Sequence, residues 1–364
     1  MLDEYRIEHL LNNLALRKKG PHILMTSPVL FLIFNRPDVT AQSFACIRRA
    51  RPPRLYIAAD GPRPDRPGEE KLCMQTRAIA DAVDWPCTVR TLFRKRNLGC
   101  SKGVATAISW FFKHEEEGII LEDDIVTHPD FFLFCEALLE RCRYNERVMH
   151  ISGINMQFGI RRGEASYYFS DIMHCWGWAS WRRAWEKFDY SMSGLGGFIN
   201  RELPEKFASQ AVVDHFRVML RHVQNNIIDT WDARWLYSIW RAGGLCLQSN
   251  INMIHNIGFS ASATHTTCVS LSAFLEPRPM GDIVHTESVM RNEEADALTC
   301  RIEFSGRPAG FEVYFNEVIL RLEAKQFSEA LFLLNMMKKC YGNHALLLQA
   351  EDAVHKLRRG LKKY

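Results

Sequence analysis

Little in this sequence points to a membrane span or an oxidising compartment. No stretch of its 364 residues approaches the ~20 apolar residues that cross a bilayer. Met1 to Gly20 is charged throughout, with no signal-peptide apolar region. No Asn-x-Ser/Thr acceptor occurs. The 11 cysteines include no Cys-x-x-Cys pair, and the two closest, Cys135 and Cys142, fall on one expected helix face. Scattered thiols of this kind read as free and buried, not as a disulfide framework or zinc site. The expectation is a cytoplasmic protein. Excess charge is also scarce. A net charge of +4 argues against a nucleic-acid partner and suits a small anionic substrate. Walker A, dinucleotide and metalloprotease signatures are missing, and Gly194-Leu195-Gly196-Gly197, with no apolar strand before it, reads as a flexible loop.

What the chain does have is alternation. Pro28 to Phe34 is wholly apolar and stops at Asn35-Arg36-Pro37-Asp38. Arg54 to Ala59 stops at Asp60-Gly61-Pro62, and Cys87 to Phe93 at Arg94-Lys95-Arg96-Asn97-Leu98-Gly99. Helical patterns follow, from Asp38 or Thr40 as cap to about Arg49, then through Val83, then from Ser101 to Phe112. Gly118 to Val126 carries a fourth apolar run into Glu122-Asp123-Asp124. Such alternation predicts a parallel sheet with right-handed crossovers. Ligands of open α/β sheets sit outside the carboxyl ends of the strands, so these polar termini would share one crevice. Three adjacent carboxylates repel one another unless a cation neutralises them. Their hard oxygens suit Mg²⁺ or Mn²⁺, which could in turn hold a diphosphate. A solvated acidic turn is the plainer alternative.

The second half changes character. Seven of the nine tryptophans lie between 176 and 240. Helical spacing assigns Trp181, Trp185 and Trp235 to a core, whereas Trp176 and Trp178, around Gly177, are expected to line a pocket where flat rings meet sugar faces. Asp229-Thr230-Trp231-Asp232 opens a helical segment. Asp229 suits the cap, while Asp232, beside two tryptophans, is a candidate general base, with capping or surface placement as its alternative. Leu245 to Leu247 and Ile251 to Ile254 read as strands. His265 lies among small polar residues and is the better metal-ligand candidate than His255, with a structural histidine as the alternative. Residues 280–308 lack periodicity and read as an extended cover or linker. From Phe311 the pattern is helical, stopping at Gly342, and Arg321 to Lys339 resembles one tetratricopeptide-type hairpin. The basic end, His355 to Tyr364, reads as an exposed helix end, with peripheral contact to an anionic membrane face as a second reading.

Taken together, Pro28 to Asp38, Ala58-Ala59-Asp60-Gly61, Arg96-Asn97-Leu98-Gly99, Glu122-Asp123-Asp124, Trp176-Gly177-Trp178, Trp231-Asp232, Asn256-Ile257-Gly258 and Thr264-His265-Thr266 resemble, in order, the nucleotide-diphospho-sugar glycosyltransferases of the GT-A fold. The similarity is strongest to the N-acetylglucosaminyltransferase I-like group and its bacterial relatives. It implies a Rossmann-like, mostly parallel sheet flanked by helices. The domain would span 28–308, with a nucleotide-binding half at 28–150 and an acceptor half at 151–308. A leading helix at 1–27 and a C-terminal helical appendage at 309–364 would flank it. The resemblance further implies that Asn35, Arg36 and Asp60 surround the nucleotide, with Arg96 and Asn97 nearby. Glu122 and Asp123 would orient ribose and donor sugar. Asp124, with His265 as a second ligand or diphosphate contact, would hold Mn²⁺ or Mg²⁺. Asp232 matches the catalytic base of inverting members, but alanine and arginine follow it where those often carry paired acids, so Asp229 stays in play. The implied reaction moves a sugar, preferably from a uridine diphosphate carrier, to a saccharide or lipid-linked saccharide in surface glycan synthesis. A sugar-1-phosphate nucleotidylyltransferase and a non-catalytic nucleotide-sugar-binding protein are the rivals.

Overall fold

The computed structural model describes residues 25–258, 271–304, 310–342 and 344–361. The leading helix expected over residues 1–27 lies outside them up to residue 24, as does the Thr264-His265-Thr266 segment. Strands β1 (Val29–Ile33), β2 (Arg54–Ala59), β3 (Thr88–Phe93) and β4 (Glu117–Glu122) alternate with helices α1 (Pro37–Ala50), α2 (Glu69–Arg77) and α3 (Gly99–His114). They pair in parallel in the order β3-β2-β1-β4. All four carboxyl ends therefore lie on one edge of the sheet.

In β1 the side chains part strictly by parity. Val29, Phe31 and Ile33 enter one core layer with Leu55, Ile57, Ile119 and Leu121. Leu30 and Leu32 enter the other with Tyr56, Ala58, Ile120 and Trp178. A strand covered on both faces has no polar side, which is why the run reads as continuous and not alternating. Each such side chain contributes about 1.5–3 kcal/mol by leaving water.

Beyond β4 come β5 (Ile125–Thr127), α4 (Asp130–Cys142), β6 (Val148–Ser152), β7 (Tyr167–Ser170), β8 (Trp178–Trp181), α5 (Arg182–Trp185), α6 (Leu195–Arg201), α7 (Leu203–Lys206), α8 (Gln210–Gln224), α9 (Asp232–Arg241), β9 (Leu245–Ser249) and β10 (Ile254–Asn256). The main sheet is eight-stranded, continuing from β4 as β8-β6-β9-β7. Strand β8 runs antiparallel to both neighbours and β7 antiparallel to β9, so the sheet is mixed but mostly parallel. Helices α10 (Glu293–Glu303), α11 (Phe311–Glu323), α12 (Phe327–Tyr341) and α13 (Ala345–Leu361) close the chain.

Four expectations change. The run from Gly118 to Val126 is two strands, because Ile125 leaves the main sheet and pairs with Asn256 in an antiparallel β5–β10 ribbon. Strand β10 begins only at Ile254, since Asn252 spends its amide on the carbonyls of Ile254 and Glu276. The Gly194–Gly197 stretch is not a loop: it opens α6, whose Leu195, Phe198 and Ile199 are buried in the tryptophan-rich layer. Residues 280–308 are not all extended. Asn292 accepts the Ala295 N–H at 2.9 Å and caps α10, with Glu293, Glu294 and Asp296 in its first turn.

The closing helices dock on the body through Arg321, 2% exposed, whose guanidinium donates to the carbonyls of Phe158 at 2.7 Å and Gln157 at 3.3 Å. No helix among the described residues is long and apolar enough to cross a membrane.

Candidate functional site

The acidic triplet stands where β4 leaves the sheet, and three constraints position it. Glu122 is the last residue of β4. Asp123 has its backbone carbonyl held by the Ser43 hydroxyl at 2.8 Å. Asp124 sits at the mouth of the β5–β10 ribbon, its carbonyl accepting the Ile257 N–H at 2.9 Å. Gly258 completes the clasp. A Cβ there would lie 2.1 Å from Asp124 Oδ2, so only glycine lets the ribbon close on this carboxylate.

Arg36, from the end of β1, reaches across to the triplet. Its Nη2 pairs with Asp123 Oδ1 and, at 3.0 Å, with Asp124 Oδ2. Burial opposes the guanidinium charge, but Asp123 and Asp124 outweigh it and hold the group more firmly protonated than usual. Asp124 Oδ1 is different: it is buried and has no hydrogen-bond partner among the described residues. Burial first, then Asp124, Asp123 and Asp232, push Glu122 up to about 8. Burial raises Asp123 to about 6 against the pull of Arg36. Arg36 is the cation paired with the triplet among the described residues, and the crowding of carboxylates favours the protonated form of Glu122.

Asp232, separated in sequence by more than a hundred residues, belongs to the same cluster, since its charge is felt at Glu122, Cys100 and Cys175. It is the first residue of α9. Its Oδ1 accepts from the Thr230 hydroxyl and, at 2.7 Å, from the Ala233 N–H. Among the described residues its Oδ2 meets only the Cys175 thiol, at 3.9 Å. One oxygen is thus anchored and the other is open to a proton donor. Cys100 and Cys175 are site residues that sequence reasoning misses. The only signal for Cys175 is its place directly before Trp176-Gly177-Trp178.

Asp229 has a different task. It accepts the N–H groups of Cys100 at 2.9 Å and Ser101 at 3.0 Å, capping α3 from 128 residues away. Gly99, at φ +79°, leaves room for it, as a Cβ would lie 2.6 Å from Asp229 Oδ2. The capping role expected for Asp229 is found, but on α3 and not on its own segment.

The remaining residues knit the strand-end loops together. Asp60 accepts N–H groups from Gly61 at 2.9 Å and Leu98 at 2.8 Å, and burial raises its proton affinity. Asn97 donates to the Gly61 carbonyl at 2.9 Å. Arg96 is exposed beside Gly61. Asn35 donates to Glu69, which also grips Arg63, at 2.9 Å. These loops do share one edge, yet Asn35, Asp60 and Asn97 already have protein partners. Trp176 is half-buried. Trp178 is 0% exposed and stacks on His150 at 4.9 Å and on Trp231 at 5.5 Å. Its ring faces are taken up by the core, which corrects the expectation that it lines a pocket.

Among the described residues no three His, Cys, Asp or Glu side chains converge as a ready-made metal cage. Mg²⁺ sites built on substrate phosphates use only one or two carboxylates, and the unpartnered oxygen of Asp124 fits that kind of site. No family model matches this chain, and no curated protein is similar to it.

Proposed function

We propose that the protein is a GT-A-type glycosyltransferase, moving a sugar from a nucleotide diphosphate, preferably uridine diphosphate, to a saccharide hydroxyl. The observation that carries this reading is the buried, unpartnered Oδ1 of Asp124 at a strand-end edge shared with the half-anchored carboxylate of Asp232. Asp124 would hold Mn²⁺ or Mg²⁺, which when bound supplies countercharge to the departing diphosphate. Arg36 keeps Asp123 and the other oxygen of Asp124 in place. The loops at Asn35, Asp60, Arg96 and Asn97 would form the nucleotide wall.

Asp232 Oδ2 would take the proton of the attacking hydroxyl while Thr230 and the Ala233 N–H fix Oδ1. Attack opposite the leaving group inverts the anomeric centre. The acceptor is a saccharide, free or lipid-linked, approaching past Trp176.

A panel of nucleotide sugars tests this, scored for metal-dependent hydrolysis and transfer. Asp124→Ala abolishes both. Asp232→Ala keeps donor binding and lowers transfer by about 10²–10⁴-fold. Transfer without added divalent ion rejects the role of Asp124, and full transfer by Asp232→Ala rejects Asp232 as base.

A further inference from the structure

A cavity of about 260 Å³ lies between the body and the closing helices, with no residue of the acidic triplet in its lining. Its walls come from the loop after β6 (Asn155), the loop after β9 (Asn252) and the face of α12 (Phe332). The volume is below the ~300–1,000 Å³ of sites for drug-sized ligands, so it suits one ring-sized unit and not a nucleotide. Its charged lining residues are Arg161, Arg278, Lys339 and Glu276, three cations against one carboxylate. Lys339 and Glu276 satisfy each other at 2.5 Å. Neither arginine forms a close ion pair among the described residues, although the charge of Arg278 is felt at Glu276.

Both guanidiniums are nevertheless held. Arg161 Nη2 donates to the carbonyls of Glu164 at 2.7 Å and Ala165 at 3.0 Å. Arg278 lies over the Phe332 ring at 5.0 Å. A guanidinium fixed by carbonyls or a ring keeps donors free for the paired oxygens of a carboxylate or phosphate. The floor is fixed as well. Asn155 donates to the Ser249 carbonyl at 2.7 Å, and Asn252 ties Ile254 to Glu276. A site already organised gives up little entropy on binding. Phe332 and Met336 supply apolar lining beside these polar groups.

From these observations we infer that the cavity binds one anionic monosaccharide unit, a ring bearing a carboxylate or phosphate. This deepens the transferase reading, on which it rests for the source of the sugar: the unit would belong to the acceptor chain. Asn252 leads directly into β10, whose far end clasps Asp124. At about 3.3 Å per residue, the chain from Asn252 to the Asp124 clasp spans at most roughly 15–20 Å, within reach of a short oligosaccharide.

The test titrates the full chain with glucuronate, glucose 6-phosphate, methyl glucoside and inorganic phosphate by calorimetry or NMR, at low and high salt. One or both anionic sugars should bind at least tenfold more tightly than methyl glucoside, and which one does so identifies the anion. Binding should weaken with salt and fall tenfold or more in the Arg161→Gln/Arg278→Gln double variant. Both positions are exposed, and an unchanged melting temperature confirms that the variant folds. Equal binding of methyl glucoside, equal binding of inorganic phosphate, or indifference to the double substitution overturns the inference. Asp124→Ala separates the two readings. If it abolishes anionic-sugar binding and the arginine variant does not, the anion sits in the acidic cleft and the cavity inference falls alone. If binding needs the arginines but no nucleotide sugar is cleaved, the cavity stands and the transferase reading falls.

Discussion

Arg36 is the residue on which the acidic edge depends. It faces Asp123 and Asp124 with only 20% of its side chain exposed, against 7% and 13% for theirs. Removing one partner of a buried ion pair typically costs about 3–5 kcal/mol because the other charge is stranded; partial exposure places Arg36→Met near the lower end. Millimolar Mg²⁺ or Mn²⁺ should then raise the melting temperature of Arg36→Met more than that of the parent, since the ion replaces the lost guanidinium. Equal responses in scanning calorimetry would mean that the ion does not take the place of the guanidinium. At this scale the sequence was legible where chemistry was written in composition. Three consecutive acids announce a charge problem wherever they lie. Partners brought by long-range folding were not legible. Nothing near Asp229 says that it caps a helix beginning at Gly99, and nothing near Arg36 says that it pairs with Asp123 and Asp124.

At the scale of elements, α3 shows how the two halves of the chain are tied. Its first N–H groups have no carbonyl within the helix to bond, and Asp229 supplies the acceptor. Asp229→Ala should lower stability by about 0.5–2 kcal/mol in urea unfolding, and Asp229→Asn, which keeps one acceptor oxygen, should recover part of that loss. An Asp229→Ala midpoint equal to the parent's would show that the cap is not energetically engaged. The parallel strands β1, β2 and β4 could be read almost to their first residues, because strands buried on both faces appear as unbroken apolar runs, whereas β3 is an edge strand with Thr88, Arg90, Thr91 and Phe93 exposed. Strands β5 and β10 could not: three-residue ribbons depend on register with a distant partner, and the apolar run simply continues through Ile125 and Val126. Helix α10 was hidden for another reason. Acids crowd its first turn and mask the buried positions Ala295, Leu298 and Ile302, although Asn292 was available as a cap signal.

At the scale of the whole molecule, three buried titratable groups near the tryptophan-rich layer contribute to how stability varies with pH, alongside the acidic edge. Burial pushes His150 down to about 3 and His174 down to about 4, so both are favoured neutral in the fold. Their contribution is complete above the ordinary histidine value near 6.5 and is lost as the pH falls toward 4 and below. Glu303, 22% exposed and 3.8 Å from His174 Nδ1, runs the other way. Burial raises it to about 7, so its contribution is complete below about 4.5 and is lost as the pH rises through 7. Tyr168 and Tyr314 face it from β7 and α11, and Cys300 from its own helix; none supplies a positive charge. Glu303→Gln removes the ionisation that neutral pH forces on the fold. Each tenfold rise in proton affinity is worth about 1.4 kcal/mol. Discounted for partial exposure, that makes the variant roughly 1–3 kcal/mol more stable than the parent at pH 8. Near pH 4.5, where the parent carboxyl is mostly protonated, the difference should shrink towards zero. Urea midpoints at pH 4.5, 6 and 8 decide it. The competing arrangement, a charged Glu303–His174 pair, requires the opposite sign: glutamine would then be the weaker residue where both partners are ionised, and a destabilised variant at pH 6 would establish that pair in place of the buried neutral acid.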